Sequence, residues 1–346
     1  MNLPGYSMKR PIDGILLVDK EEGEFSYGVV KRVRRLLRIS KAGHAGTLDP
    51  FATGLLIVLL GQGTRLSDLI MFRNKVYEGV IRLGIETDTF DPTGNVTCVK
   101  RVPEIEERVI QKTTSLFTGA LEQVPPVYSA VRHKGIRAYK LARKGIKVAL
   151  EKKRVFIHSF EVYDIKLPDI FFRVKCSSGT YIRTLAYDFA KALGTVGHLR
   201  SLRRLKSGVF DVAGAYPSKK ITQEADRNDL FKGVIPLVSS LPDIPDVSIS
   251  EDLAHKIRNG YQPVWQDIGV SREMCPEGGY LRLVMNEDLV AVLQVDRGEN
   301  VRAIPSVSLH EDSSFCLTTS LALNKKEVAT RGVGLKIYKT FKKQNF

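Results

Sequence analysis

The spacing of apolar and polar positions changes along this chain, and the changes mark its elements. After a flexible leader at residues 1–10, residues 11–20 (PIDGILLVDK) carry the compact run Ile15, Leu16, Leu17, Val18 and read as a short buried strand. Ser26 is placed to cap a helix reaching about Arg38. Val29, Val30, Val33, Leu36 and Leu37 share one face of it, and Lys31, Arg32, Arg34, Arg35 and Arg38 take the other. Residues 55–60 form a strand or buried segment, and residues 75–83 (KVYEGVIRL) read as a strand. A turn is predicted at residues 91–95 (DPTGN), then a helix over 103–120. The paired prolines of 123–128 (QVPPVY) exclude helix there.

Two further strands are expected near 155–164 and 170–177, the second running through SSGTYIRTL into a helix closed by Gly194. Residues 241–245 (LPDIP) resemble a linker. Beyond them come a short helix over 251–259 and a hairpin over 280–296 turning at Asn286, Glu287 and Asp288. No repeat of solenoid period is present.

The bulk composition narrows the class. The longest purely apolar run, 55–60, is far too short to span a bilayer, and the N-terminal Met-Asn-Leu-Pro does not open a signal peptide. Cys98, Cys176, Cys275 and Cys316 are scattered, with no C-x-x-C, which argues against a zinc site or a disulfide framework. A cytoplasmic, non-membrane protein is expected. The net charge is +15, and it is not evenly spread. Residues 246–346 balance 13 basic against 13 acidic side chains, so the whole excess lies in residues 1–245. A basic surface concentrates polyanions by counterion release, which makes nucleic acid the leading partner class and an anionic membrane surface its rival.

Chemistry centres on GHAGTLDPFATG (43–54), a loop that surrounds one aspartate with glycines, a histidine and a proline. It lacks the Lys-[Ser/Thr] ending of a phosphate-binding P-loop. His44 and Asp49 are its only ligand types, too few for a metal centre. From the loop alone, Asp49 can be a turn-former, a helix cap or a catalytic carboxylate.

GHAGTLDPFATGLL nonetheless closely resembles the catalytic loop of the TruB-type pseudouridine synthases. Four more stretches follow in that family's order: KVYEG (75–79), VPPVYSAVRHKGIRAYKLAR (124–143), CSSGTYIRTLAYD (176–188) and HLRSLRRLKSG (198–208). The resemblance covers roughly residues 10–240. One stretch departs: the family often has Lys-Pro-x-Gly-x-Thr-Ser-His, and here residues 20–27 read KEEGEFSY. The last 100 residues are only loosely similar to the PUA-like domain that usually follows.

The resemblance implies an α+β chain. A mixed, mainly antiparallel sheet with flanking helices, the pseudouridine synthase fold, is expected over 11–240, with a basic RNA-binding segment at 123–154. A small β-rich PUA-like domain is expected over 246–346. It further implies a tRNA pseudouridine synthase that isomerises uridine-55 in the T-loop, acting as a monomer on the T-arm stem-loop. No cofactor and no metal are expected, because breaking N1–C1′ and making C5–C1′ changes no oxidation state.

Asp49 is then the catalytic carboxylate, suited to stabilise or attack an anomeric carbon. Arg183 holds it ionised through a two-pronged salt bridge. Tyr77 stacks on the flipped base and is a candidate proton acceptor. Tyr181 and Leu202 line the uracil pocket, and His44 fills the gap left by the extruded nucleotide. Arg132, Lys134, Arg137, Lys140, Arg143, Arg200, Arg203 and Arg204 are expected on RNA phosphates, with His198 and Lys206 in the same basic clusters. The rival readings are a relative that works only with a guide RNA and protein partners, a non-catalytic RNA-binding or tRNA-folding protein, and the same chemistry on a different RNA.

Overall fold

The computed structural model describes residues 12–129, 131–133, 135–142, 144–146, 148–222, 227–270, 279–295 and 335–340. The leader at 1–10, and Lys134 and Arg143, lie outside the described residues. The chain divides into two compact units at Pro242 and Asp243. Among the described residues no helix is long and apolar enough to cross a membrane.

The larger unit is built on one mixed sheet. Its main strands are β1 (Gly14–Lys20), β2 (Ala42–His44), β3 (Thr53–Leu60), β4 (Lys75–Leu83), β5 (Gly119–Gln123), β6 (Lys153–Lys166), β7 (Asp169–Cys176) and β8 (Gly197–Ser207). The principal order is β1-β3-β8-β4-β7-β6-β5, with β2 on β3 and the short segment Tyr216–Pro217 beside β1. Among these main strands only β3 and β8 pair in parallel; the others named in the path are antiparallel. The α+β, mainly antiparallel expectation therefore matches the observed sheet.

Helices α1 (Ser26–Leu37), α2 (Ser67–Met71), α3 (Glu107–Ser115) and α4 (Ile182–Ala192) accompany the sheet. On α1, Val29, Val30, Val33 and Leu37 are buried, as the apolar stripe requires. On α4, Leu185, Ala186, Phe189 and Ala190 are buried, and Phe189 meets Phe117 and Phe160 edge-on with ring centroids 5.6 and 5.1 Å away.

Three sequence expectations change. Ser26 is the first residue of α1 and not its cap; Phe25 is the cap residue and makes no side-chain hydrogen bond. The buried Ser26 hydroxyl is engaged elsewhere, bonded to both the amide and the carbonyl of Leu48 at 2.9 Å. The helix expected over 103–120 is confined to Glu107–Ser115, because Gly119–Gln123 pairs with the edge of β6 and Phe117 turns into the aromatic core. The basic stretch 197–207, where the pattern predicted no element, is the central strand β8. Elsewhere β4 spans Lys75–Leu83 with strict alternation of buried and half-buried positions, so Lys75, Tyr77, Gly79, Ile81 and Leu83 share one face.

The smaller unit carries a second sheet, β9 (Asp246–Ser248), β10 (Tyr280–Met285), β11 (Asp288–Val295) and β12 (Leu335–Thr340), in that order. The β10–β11 hairpin turns through Asn286, which has a φ of 54°. Helix α5 (Glu251–Arg258) is capped by the Ser250 hydroxyl, which accepts from the Leu253 amide. It buries Leu253, Ala254 and Ile257 in this sheet's own core.

One glycine fixes where the site forms. Gly54 opens β3 with φ +98°, and a Cβ there would lie 2.3 Å from the Arg204 carbonyl oxygen on β8. We expect Gly54→Ala to destabilise the fold by more than about 2 kcal/mol in urea unfolding. Gly119→Ala, at φ +95° with nothing within 4 Å, isolates the backbone penalty of about 1 kcal/mol. Equal losses at both positions would show that the β3–β8 approach is not tight.

Candidate active site

The loop 45–52 leaves β2 and returns as β3, and its apolar members anchor it: Ala45, Leu48, Phe51 and Ala52 are buried. Its backbone is held by four residues from outside the loop. Ser26 clamps Leu48. The Pro50 carbonyl accepts from the Gly23 amide at 2.8 Å and from Lys20 Nζ at 3.1 Å. Arg204 donates to the Leu55 carbonyl at 2.6 Å and the Gly46 carbonyl at 3.1 Å. These bonds leave Asp49 as the loop residue that projects toward Arg183.

Arg183 sits in the first turn of α4, where the helix dipole disfavours a cation. Its surroundings supply the compensation. Nε lies 2.9 Å from Asp49 Oδ2, and Nη2 donates to Asp49 Oδ1 at 3.3 Å. Nη2 also donates to the Tyr128 carbonyl at 2.9 Å. Nη1 donates to the Thr89 carbonyl at 3.1 Å and to Asp91 Oδ2 at 3.3 Å. A guanidinium carries five N–H bonds, and five close polar contacts meet it here. The Arg183 and Asp91 side chains are each only 6% exposed, whereas that of Asp49 is 36% exposed. One side of this network is sealed and the other opens on the Asp49 carboxylate.

Burial pushes the Asp49 carboxyl up from its ordinary value, the Arg183 guanidinium pulls it back, and the second carboxylate, Asp91, pushes it up again. Sequence reading treated Asp91 only as a turn residue. It does hold the turn, accepting from the Thr93 amide at 2.9 Å and the Thr89 hydroxyl at 2.7 Å, but its other oxygen faces Arg183. Lys20 was likewise given no role. It is fully buried, and besides Pro50 it donates to the Glu21 and Glu24 carbonyls at 2.9 and 2.8 Å. Burial lowers it to about 8, against the attraction of Glu24 and Asp49. A buried lysine at the end of an apolar strand was the available signal.

The two-pronged pairing of Asp49 with Arg183 is present. Tyr77 and Leu202 are buried in the same core cluster as Leu48 and Phe51 of the loop. Tyr77 stands opposite Arg204 in register and is hydrogen-bonded to its guanidinium. Burial raises the phenol and Arg204 opposes that rise. Tyr181 is the cap residue of α4, its amide accepted by Gln123 Oε1 at 3.0 Å; burial raises its phenol too. His44, half-buried on β2, is lowered by burial and then by Arg204.

The phosphate contacts divide. Arg137 and Lys140 are exposed; Arg132 lies in a short strand paired with Ile136–Arg137. Arg203 reaches the surface but is bound at both nitrogens to Asp19, at 2.9 and 2.7 Å. Arg200 pairs with Asp169, which also holds Arg82. Arg204 corrects the expectation: it is 2% exposed and its guanidinium is engaged by the loop carbonyls and Tyr77, so it faces the protein and not the solvent. Period-2 alternation on β8 turns Leu202 and Arg204 inward together. His198 is buried as well, with Nδ1 2.8 Å from the Ile85 carbonyl.

Comparison with known proteins is decisive for the family. Residues 34–182 match the model of the TruB family pseudouridylate synthase N-terminal domain. The tRNA pseudouridine synthase B of Syntrophus aciditrophicus is 42% identical over 252 residues, 73% of this chain and 80% of that protein. That of Geobacter sulfurreducens is 38% identical over 283 residues, 81% and 93% of the two.

This chain belongs to the TruB family.

Among solved structures, a chain of a Cbf5-Nop10-Gar1 complex superposes with a TM-score of 0.63 at 24% identity, covering 82% of this chain and 79% of that one. At that identity the likeness speaks for the fold.

In this TruB-family chain Lys75 is buried on the Tyr77 face of β4 and bonded to the Met71 and Arg73 carbonyls. Burial, Arg204 and Arg73 lower it to about 7 against the pull of Cys176, itself raised to about 11 by burial. A lysine whose folded value lies below its unfolded one binds fewer protons when folded. Its contribution to stability therefore improves as pH rises from about 7, until above about pH 9 Cys176 acts in the opposite sense. We expect the unfolding free energy of the wild type to gain on that of Lys75→Met between pH 7 and 8.5, by about 1–2 kcal/mol in urea melts. Parallel curves would mean that Lys75 titrates normally.

Proposed function

We propose that this chain is a tRNA pseudouridine synthase that isomerises uridine-55 in the T-loop, using Asp49 on a flipped-out nucleotide. The observation that carries the reading is the half-open carboxylate of Asp49, gripped by a buried Arg183. A phosphate-binding surface needs no such pair. Support also comes from relatives 38–42% identical that bear the name tRNA pseudouridine synthase B.

The reaction breaks N1–C1′, turns the uracil and joins C5 to C1′; C5 gives up its proton and N1 takes one up. A carboxylate anion serves this by attacking the sugar or by supporting positive charge on it as the bond to the base weakens. Arg183 keeps that anion available in a site whose burial otherwise favours the neutral acid. Tyr77 is assigned to stack on the base, its ring lying in the same cluster as Leu48 and Phe51 of the loop. Tyr181 and Leu202 flank the uracil, and His44 fills the vacated stack. Arg137 and Lys140, with Arg132, Lys134 and Arg143, grip phosphates of the T-arm, while Arg200 and Arg203 do so in exchange for Asp169 and Asp19. In this reading residues 11–240 carry catalysis and residues 246–346 form a PUA-like module. The protein acts in the cytoplasm as a monomer without metal or cofactor.

The guide-dependent alternative draws only on fold-level likeness at 24% identity, and nothing in the site favours it. Incubating the purified chain alone with a T-arm stem-loop tritiated at uridine C5 tests the proposal. Tritium release without partners is expected, and its absence would leave the binding-protein or guide-dependent readings standing. Asp49→Asn should retain RNA binding while losing turnover. Arg183→Lys keeps the charge but not the fork, and should lower kcat by at least about 10²-fold. Because Asp49 must be ionised and its value is already raised, activity should fall on acidification at a higher pH than for an ordinary aspartate. Arg183→Lys should move that limb higher still; a limb that stays put would separate Arg183 from the ionisation of Asp49.

A further inference from the structure

The stretch in which this sequence leaves the family pattern, residues 20–27, takes no part in the chemistry above beyond holding the loop. Its outward side chains are unusual. Phe25 is 67% exposed and Tyr27 56% exposed, and they bracket the buried Ser26 that is bonded to Leu48, the neighbour of Asp49. With Lys20 and Gly23 both bonded to Pro50, the backbone that carries these two rings is tied to the Asp49 loop. Two neighbouring aromatic rings left largely in water give up much of the burial that such side chains can supply.

Helix α1 extends this surface in one stripe. Tyr27, Lys31, Arg34, Arg35 and Arg38 follow at helical spacing and are all exposed. Lys31 Nζ lies 5.1 Å from the Tyr27 ring centroid. Among the described residues no carboxylate pairs with Lys31, Arg34, Arg35 or Arg38. Several other exposed or half-exposed arginines of the same unit are paired, Arg32 with Glu24, Arg173 with Glu78, Arg200 with Asp169 and Arg203 with Asp19. Uncompensated cations beside bare aromatic faces are the chemistry that binds single-stranded nucleic acid, bases on the rings and phosphates on the cations.

We propose that Phe25 and Tyr27, with Lys31, Arg34 and Arg35, form a docking surface for an unpaired nucleotide of the substrate RNA and its flanking phosphates. It lies beside the position of the flipped uridine and is separate from the basic segment at 123–154. The inference rests on the RNA-substrate reading above, which supplies the occupant.

Fluorescence anisotropy with a labelled T-arm stem-loop, in the Asp49→Asn protein, tests it. Phe25→Ala/Tyr27→Ala should weaken Kd by about tenfold or more, stacking being worth about 1–3 kcal/mol per base. Tyr27→Phe keeps the ring and should bind as the parent does. Arg34→Gln/Arg35→Gln should reduce the slope of log Kd against log salt by about 1–2. A fully paired RNA duplex should bind the aromatic double variant and its parent alike. Parental Kd and salt slope in all variants, or an equal loss on the paired duplex, overturns the proposal. All these positions are exposed, and matching thermal midpoints confirm that the variants are folded. The two readings fail separately. No tritium release from the wild type, with binding lost in the aromatic variant, sinks the isomerase and keeps the surface. Normal release with unaltered binding does the reverse.

Discussion

The structure turns on one guanidinium. Arg183 is buried at the wrong end of a helix for a cation, and it is tolerable there because two carboxylates and two backbone carbonyls surround it. Those partners come from three separate stretches, the loop after β2, the turn at 88–91 and the segment at Tyr128, and all three meet α4 there. Joining them at a single planar group with fixed donor directions sets the orientation of Asp49 more tightly than any local loop preference can. It also sets the electrostatics, since Asp49 shares its counter-charge with Asp91, and burial and that second carboxylate push it up while Arg183 pulls it back.

Two other buried cations do related work on the backbone. Lys20 and Arg204 point their charged ends at carbonyl oxygens of the Asp49 loop and its flanks, so the loop is fixed through main-chain groups from both sides. Each would be costly to bury alone, and each is satisfied by carbonyls whose own alternative is an unpaired acceptor. The loop's shape therefore depends on residues from β1 and β8 as much as on its own glycines. Gly54 allows the β8 backbone to come close enough for Arg204 to reach.

The excess positive charge thus serves two ends. Part of it is internal and structural, as at Arg183, Arg204, Lys20 and Lys75, all buried. Part is external, where the unpaired cations of α1 can meet a polyanion directly and the paired Arg200 and Arg203 only by giving up a carboxylate.

Periodicity in the sequence was enough for much of the fold. The stripe on α1, the alternation on β4 and the hairpin at Asn286 are local patterns, and burial on one face is all that they need. Asp49 and Arg183 were legible as a pair because their motifs each resemble a known family's. Other features depended on tertiary contact. Arg204 and Arg203 are adjacent arginines in a basic run, and only the pairing of β8 between β3 and β4 decides that one is buried and the other exposed. Ser26 has the composition of a helix cap, but a nearby loop amide and carbonyl claimed its hydroxyl. Asp91 is a turn aspartate by sequence, and it becomes part of the site because α4 brings a cation against its free oxygen. Hydrogen-bond partners distant in the chain leave no mark on local spacing, so such roles are assigned only when the sheet closes.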